Sequence, residues 1–325
     1  LCPRNCMINE GERGFCFVRQ NIAGELIAVS YGRVSGFCID PIEKKPLYHF
    51  YPGTQILSFG TIGCNLGCKF CQNWGISKAK EMGRLAEEAS PKDIAIAAKK
   101  AECLSVAFTY NEPIISAEYA IDTAKECHAL DIKTVAVTAG YISEKAREEF
   151  FEHMDAANVD LKGFSERFYE KICLAKLQPV LDTLIYIKKK TKTWLEITNL
   201  IIPGENDSEK ELKAMTKWIV ENLGEDVPMH FSAFFPSYQM MDTKPTPKET
   251  LVTARALALT AGLKYVYTGN LYDPEGSCTH CKGCGKAIIR REGYKVSEHH
   301  LKNGKCEFCQ ILCDGIFSKG ARDDK

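Results

Sequence analysis

Cys64, Cys68 and Cys71 stand in one short segment, GCNLGCKFCQNW (residues 63–74), at the spacing C-x3-C-x2-C. Only a compact loop can direct three thiols so spaced toward one site. Iron–sulfur clusters are held by cysteine thiolates and usually take four of them. Three ligands therefore leave one iron open to a substrate or cofactor. The alternative is a zinc site whose fourth ligand comes from elsewhere in the chain.

A parallel sheet is predicted to position this loop. Between about residues 55 and 270, short apolar runs alternate with helical patterns, which is typical of repeated βα units. Helices are predicted to begin at Ser90, Ser143 and Ser208, and one ends at Gly224. A closed barrel, a partial barrel and an open doubly wound sheet all fit, and each binds ligands at the carboxyl ends of its strands. The predicted strands are 56–61, 104–109, 133–138, 157–161, 194–201, 228–234 and 264–268.

Ionisable residues fall on the later predicted strands. Asp160 and Lys162 are two residues apart, so their side chains share one face of a strand and can address one ligand. Glu196 is a charge inside an apolar strand, which is costly without a partner. His230 stands on the next strand. The ordinary alternatives are a solvated ion pair and a core histidine. The loop of residues 236–247 is interpreted as a surface loop or as a lid over the strand ends.

The carboxyl-terminal tail carries two C-x2-C pairs separated by twenty-one residues: Cys281 with Cys284, and Cys306 with Cys309. This is the ligand spacing of a zinc ribbon. A rubredoxin-like iron site uses the same four thiolates, and we favour structural zinc. A segment this small has little core, so metal binding would supply its folding energy.

The amino-terminal segment places Cys2, Cys6 and Cys16 within fifteen residues, one thiol short of a closed site. These cysteines are either ligands of a second metal or cluster, or reduced thiols on an ordered arm. The missing ligand would lie upstream of Leu1, be Cys38, or be a non-protein group. The isolated Cys38, Cys103, Cys127 and Cys173 are interpreted as small buried side chains.

Composition sets the class of protein. The 42 basic and 42 acidic residues cancel, which disfavours nucleic acid and anionic lipid as partners, and no apolar run is long enough to span a membrane. Sixteen cysteines in 325 residues fit metal ligation in a reducing cytoplasm better than a disulfide framework. We expect a cytoplasmic protein with an amino-terminal extension (1–54), a core (55–274) and a metal-binding module (275–325).

The cysteine loop after a first strand, with aromatic Phe70 before its last cysteine, resembles the radical S-adenosylmethionine (SAM) superfamily. The resemblance covers about residues 55–240. It implies an α/β fold, a partial (β/α)6 TIM-like barrel, here followed by the zinc-ribbon-like module. It also implies a [4Fe-4S] cluster on Cys64, Cys68 and Cys71 and SAM on the open iron. Reductive cleavage of SAM then yields a 5'-deoxyadenosyl radical that abstracts hydrogen from a substrate.

The same resemblance implies which residues meet SAM. Tyr110-Asn111-Glu112-Pro113 occupies the place of a Gly-Gly-Glu-Pro motif that contacts the SAM amino group, although both glycines are replaced. Asp160-Leu161-Lys162 matches the Asp-x-Lys of glycyl-radical-enzyme activases. The expected cofactor-binding residues are Phe70, Gln72, Asn111, Glu112, Thr138, Asp160, Lys162, Glu196 and His230.

Further motifs, CPRNC (2–6) and DPIEKKPLYHF (40–50) among them, resemble the AmmeMemoRadiSam-system radical SAM enzymes, relatives of pyruvate formate-lyase activating enzymes. The expected partners are a one-electron reductant such as ferredoxin or flavodoxin, and Memo-like and Ammecr-like proteins. Three hypotheses follow: a radical enzyme acting on a small molecule or peptide, a glycyl-radical-enzyme activase, and a non-catalytic iron–sulfur electron carrier with a zinc-ribbon docking module.

Overall fold

The computed structural model describes residues 1–79 and 87–317. Its strands are β1 (Arg19–Ile22), β2 (Glu25–Ala28), β3 (Arg33–Pro41), β4 (Gln55–Gly60), β5 (Glu87–Glu88), β6 (Ser105–Phe108), β7 (Lys133–Thr138), β8 (Ala156–Asp160), β9 (Trp194–Ile201), β10 (Met229–Ala233), β11 (Val266–Gly269), β12 (Thr279–His280), β13 (Ala287–Glu292), β14 (Lys295–His299), β15 (Leu301–Lys302) and β16 (Lys305–Cys306). Its α-helices are α1 (Trp74–Ser77), α2 (Pro91–Lys100), α3 (Ala117–His128), α4 (Glu144–Glu152), α5 (Glu166–Phe168), α6 (Gln178–Lys190), α7 (Glu209–Leu223) and α8 (Lys248–Thr260).

The main sheet is a partial barrel. Its order is β11-β10-β9-β8-β7-β6-β4-β3-β5, and every neighbouring pair from β4 to β11 is parallel. The parallel strands follow one another in chain order, so each crossover advances in the same direction and the doubly wound alternative is wrong. Because β11 and β5 end the sheet, the barrel does not close. The predicted α/β partial barrel is confirmed, with a seventh parallel strand, β11, beyond the six of its name.

Strand and helix boundaries lie close to those predicted. The predicted strands match β4 and β6 to β11 within two residues at each end. Ser90 caps α2 through a capping box with Asp93, and the Ser208 side chain accepts a hydrogen bond from the first turn of α7. Gly224 ends α7 with a positive φ of 99°, which favours glycine.

The amino-terminal segment is part of the barrel wall. Strand β3 pairs antiparallel with β4 and thereby adds a strand to the main sheet, which the sequence did not predict. The segment that follows contributes Ile42, Leu47 and Phe50 to a buried cluster with strand residues such as Ile56. Residues 33–50 therefore support the sheet.

The carboxyl-terminal module contains the three-stranded sheet β12-β13-β14 and the hairpin β15-β16. Its buried residues, including Cys281 and Cys306, form one apolar cluster with Tyr48 and Tyr267 of the preceding chain. The module is therefore packed against the barrel. Within the described residues, no helix is both long and apolar enough to cross a membrane.

Candidate active site

A cavity of about 530 Å³ opens at the carboxyl ends of the parallel strands. This is where an α/β sheet of this kind binds its ligands. All but one of the predicted catalytic and cofactor-binding residues line it, and the exception is Glu196. The residues brought together are Cys64, Cys68, Phe70, Cys71, Gln72, Asn111, Glu112, Thr138, Asp160, Lys162 and His230.

The cysteine loop is anchored by its neighbours. The Asn111 side chain accepts a hydrogen bond from the Thr61 N–H (3.0 Å) and donates one to the Gly63 carbonyl (2.8 Å). Further along, the Gly67 N–H donates to the Cys173 carbonyl (2.8 Å). Asn111, which replaces a glycine of the family motif, thus holds the loop from one side. The turn at Cys173 holds it from the other.

The three thiols of the loop are free and face the cavity. Burial raises the pKa of Cys64 to about 12. The pKa of Cys68 is lowered to about 7, because the Cys173 thiol donates a hydrogen bond and, against the effect of burial, Lys162 adds positive charge. Among the described residues, these thiols do not belong to a group of closely spaced ligand atoms that could hold one ion.

Cys173 is a neighbour of the site that the sequence analysis treated as an isolated residue. It is fully buried at the end of a short π-helix, Tyr169–Cys173, beside Cys68. Its separation from the loop by about a hundred residues hid this contact. Cys103 and Cys127 are buried as predicted, whereas Cys38 is exposed on β3, so that prediction was wrong for Cys38.

Glu112 follows β6 and is 2% exposed. Its carboxyl group accepts hydrogen bonds from the Thr138 hydroxyl and from the backbone N–H groups of Ala139 (2.7 Å) and Ile114 (3.2 Å). Burial raises its pKa to about 7 even though these donors oppose the shift. A buried carboxyl group that is fixed by three donors is rigid. An ammonium group of a ligand beside it would favour the negatively charged form of the carboxyl group.

Asp160 and Lys162 form an ion pair of 2.8 Å on the cavity wall. Burial alone would lower the pKa of Lys162, but the Asp160 carboxylate and the Cys68 thiol raise it above its ordinary value. The Lys162 ammonium group also lies 5.8 Å from the centre of the Phe70 ring. The two side chains meet at one ligand-facing wall as predicted, although Lys162 lies two residues beyond the end of β8 at Asp160.

His230 and Glu196 form a buried pair of which only His230 reaches the cavity. Glu196 is fully buried and binds His230 Nε2 at 2.6 Å. The backbone N–H groups of Tyr48 and His49 and the Trp194 indole also donate to it. Its oxygens are therefore engaged within the protein. The structure places Glu196 behind the cavity wall, which does not agree with the expectation that it contacts SAM.

Several cavity residues were missed by sequence reasoning. The segment of residues 43–48 supplies Glu43, Lys45 and Tyr48, and the β13–β14 hairpin supplies Tyr294. The DPIEKKPLYHF motif was the available signal, because it places charged and aromatic residues in an apolar stretch.

The loop of residues 236–247 lies on the cysteine loop. The Ser237 hydroxyl donates to the Cys71 carbonyl (3.1 Å), and the Gln239 N–H donates to the Lys69 carbonyl (2.9 Å). The Tyr238 ring stacks on Trp74 with centroids 5.6 Å apart. These contacts attach the loop to the cysteine loop, and the lid over the strand ends stays a prediction.

The four tail cysteines converge as their spacing predicted. The sulfur atoms of Cys281, Cys284, Cys306 and Cys309 all lie within 4.8 Å of one another and could hold a metal ion. Cys278 and Cys313 are buried outside this group. The donor set, four thiols at contact distance, fits one zinc or iron ion.

Comparisons with known proteins agree with this site. Residues 59–215 match the family model described as the radical SAM superfamily. The chain is 42% identical over 319 residues to an uncharacterized protein of Methanocaldococcus jannaschii. The alignment covers 98% of this chain and 95% of that relative. The chain belongs to the radical SAM superfamily. Its members are enzymes, and membership implies a [4Fe-4S] cluster and SAM.

Two solved structures share the fold of this radical SAM protein. A radical SAM methyltransferase from Sphaerobacter thermophilus has a TM-score of 0.53 at 16% identity, over 68% of each chain. Streptococcus suis SuiB, bound to the precursor peptide SuiA, has a TM-score of 0.50 at 15% identity, over 67% of this chain and 47% of SuiB. At these identities the similarity concerns the fold.

Proposed function

We propose that the chain reductively cleaves SAM at a [4Fe-4S] cluster held by Cys64, Cys68 and Cys71, and that the resulting radical abstracts hydrogen from a small molecule or a peptide. One observation carries the proposal. The three thiols share a single cavity with Glu112 and with the Asp160–Lys162 ion pair. Three thiolates leave one iron without a protein ligand, and carboxylate groups nearby suit an amino-acid cofactor.

The protein's own residues would bind and orient the cofactor. Glu112, fixed by three donors, would accept hydrogen bonds from the SAM ammonium group. Asp160 and Lys162 offer one charge of each sign, and Phe70 packs beside Lys162. The loop carrying Ser237 and Gln239 hydrogen-bonds to the backbone of the cysteine loop and holds it in place. The bound cluster and SAM supply the radical chemistry itself.

Membership of the AmmeMemoRadiSam subgroup belongs to the same proposal. It is supported by the DPIEKKPLYHF motif, whose Glu43, Lys45 and Tyr48 line the cavity. We propose Memo-like and Ammecr-like partners on this basis, and a ferredoxin or flavodoxin as reductant. The second candidate function, a glycyl-radical-enzyme activase, is favoured by the Asp160-Leu161-Lys162 motif and its ion pair.

A SAM-cleavage assay tests the proposal against the electron-carrier hypothesis. Anaerobically reconstituted protein, reduced with dithionite, should release 5'-deoxyadenosine from SAM. The Cys68→Ala variant should release none, because it lacks a cluster ligand. If the native protein releases no 5'-deoxyadenosine and Cys68→Ala behaves identically, the radical function is wrong. Deuterium transfer from a labelled candidate substrate into 5'-deoxyadenosine then identifies the target.

A further inference from the structure

Three cysteines of the amino-terminal arm, Cys2, Cys6 and Cys16, have no part in the proposed function. Two of them occupy tight turns: the Asn5 N–H donates to the Cys2 carbonyl (3.4 Å), and the Phe17 N–H donates to the Gly14 carbonyl (2.9 Å). Asn5 and Phe17 have positive φ angles of 47° and 65°, which non-glycine residues seldom adopt. The arm therefore presents its thiols from two strained turns rather than from a flexible tail.

The three thiols occupy one region. The Cys6 sulfur lies 3.8 Å from the point where a side chain on Gly14 would begin, so it faces the turn that holds Cys16. Arg4, which lies between Cys2 and Cys6, packs on the ring of Phe15, the neighbour of Cys16, at 3.5 Å from the ring centre. Cys16 is buried, Cys2 is half-buried and Cys6 is exposed. The set thus runs from the interior to the surface.

This arrangement has the features of the catalytic triplet. There too, one thiol (Cys68) is buried and its partners Cys64 and Cys71 are half-buried. Neither triplet belongs, among the described residues, to a group of ligand atoms close enough to hold one ion, whereas the four tail cysteines do. A single ion gathers its thiolates into contact, and a four-iron cluster holds them further apart. The amino-terminal thiols therefore match a cluster better than a zinc ion.

The arm is fastened to the catalytic loop. The Cys16 carbonyl lies directly against Gly63, where no side chain could be accommodated. The Arg4 guanidinium donates to the carbonyls of Asn65 and Leu174. Beyond the turn, Arg19 Nε donates to the Ile115 carbonyl (2.8 Å), three residues after Glu112. A centre on this arm would thus lie beside the loop that carries Cys64.

We propose that Cys2, Cys6 and Cys16 ligate a second iron–sulfur cluster of the [4Fe-4S] type. The cluster accepts one electron from a low-potential one-electron donor, which is oxidised, and passes that electron to the catalytic cluster; no bond forms or breaks. The relay rests on the proposed function, because it presumes the catalytic cluster. The ligation does not rest on it. Its fourth ligand is a donor other than these three thiols and other than Cys38, whose thiol donates a hydrogen bond to the Asp40 carboxylate (3.3 Å).

Iron and acid-labile sulfide analysis of the full chain tests the ligation. After anaerobic reconstitution, the native protein should hold about eight irons and eight sulfides, because each [4Fe-4S] cluster holds about four of each. A variant with Cys64, Cys68 and Cys71 all changed to alanine should keep about half of both. Sulfide decides the case, since iron bound by the four tail cysteines would bring none. A triple variant without sulfide, or with zinc in its place, overturns the proposal.

Single substitutions assign the ligands. Cys6→Ser removes an exposed thiol, so folding is preserved, and it should lower iron and sulfide to about half of the native content. Cys38→Ser is the matched control, because Cys38 is also exposed but lies on β3. It should leave both unchanged. Equal losses in the two variants, or none in Cys6→Ser, contradict the assignment. SAM cleavage by the native protein is measured separately, so failure of the second cluster is distinct from failure of the radical function.

Discussion

At the scale of single residues, the Asp160–Lys162 pair makes the sharpest prediction for cofactor binding. Asp160→Asn removes the negative charge that faces the cavity and keeps the shape of the side chain. We expect SAM affinity to fall about tenfold, as loss of one charge-assisted hydrogen bond costs about 1.5 kcal/mol or more. Iron content should not change, because Asp160 is not a cluster ligand. Equilibrium binding of SAM to the reconstituted protein measures the effect.

The control for this substitution is an ion pair of similar geometry in solvent. Glu209 and Lys213 on α7 lie 2.7 Å apart and are both exposed. Glu209→Gln should leave SAM affinity unchanged, since exposed pairs contribute little and α7 is outside the cavity. If Asp160→Asn binds SAM as tightly as this control, Asp160 has no role in the cofactor site.

A second residue prediction concerns stability against pH. Burial would raise the pKa of Asp155, but His128, the Thr134 N–H and Lys133 lower it to about 2. A depressed pKa means that the folded protein favours the carboxylate. The resulting stabilisation is fully present above the unfolded pKa of about 4 and is lost as the pH falls toward about 2. Asp155→Asn should therefore lower the free energy of unfolding by about 2 kcal/mol at pH 7.

Urea unfolding of both proteins at several pH values measures this difference. It should shrink as the pH falls below about 4. Asp242→Asn, at an exposed position, should show no such dependence. A difference that grows toward acid pH would show that the sign of the Asp155 contribution is wrong.

At the scale of elements, Gly63 joins the catalytic loop to the amino-terminal arm. Its φ of 88° lies in the left-handed region, and a β-carbon there would overlap the Cys16 carbonyl. Gly63→Ala should therefore destabilise the protein by more than about 2 kcal/mol and reduce the iron retained after reconstitution. Thermal unfolding and iron analysis measure both effects.

Gly75 in α1 provides the control for this glycine. No atom lies within 4 Å of the place where its β-carbon would stand. Gly75→Ala should be neutral or slightly stabilising, because alanine favours the helix. Equal losses of iron in the two variants would contradict a specific role for the contact between Gly63 and the arm.

The elements predicted from sequence are those with a local signal. The strands β4 and β6 to β11 are recognisable as apolar runs, and Ser90 and Ser208 are recognisable as helix caps. Both signals depend only on residues that are neighbours in the chain. Strand β3 was missed because it is a strand only through its pairing with β4, and because its exposed positions carry apolar residues such as Phe37 and Ile39, which hides the alternating pattern of a strand. Glu196 was misplaced because burial and partners in distant segments decide where a strand residue faces. Cys173 was missed for the same reason.

At the scale of the whole molecule, the tail module supports the floor of the cavity. Fully buried Arg291 of β13 donates to the Tyr48 carbonyl (2.9 Å) and lies 3.9 Å above the Tyr48 ring. The same arginine is 3.6 Å from Glu43, and both Tyr48 and Glu43 line the cavity. The Tyr51 N–H and the His49 carbonyl bond to Ile316 in the tail. The segment of residues 43–51 thus rests on a module whose four-cysteine group could hold a metal ion.

Loss of the tail metal should therefore loosen the residues that line the cavity. We expect about one zinc per native chain, absent in Cys306→Ser, whose sulfur is one of four at contact distance. The variant should lose several kcal/mol of stability, and amide hydrogens of residues 43–51 should exchange faster, because the contacts of Arg291 and Ile316 loosen. Cys278→Ser is the control: Cys278 is equally buried but outside the ligand group, so zinc should remain. Faster exchange confined to the tail of Cys306→Ser would instead mean that the module folds independently of the cavity it borders.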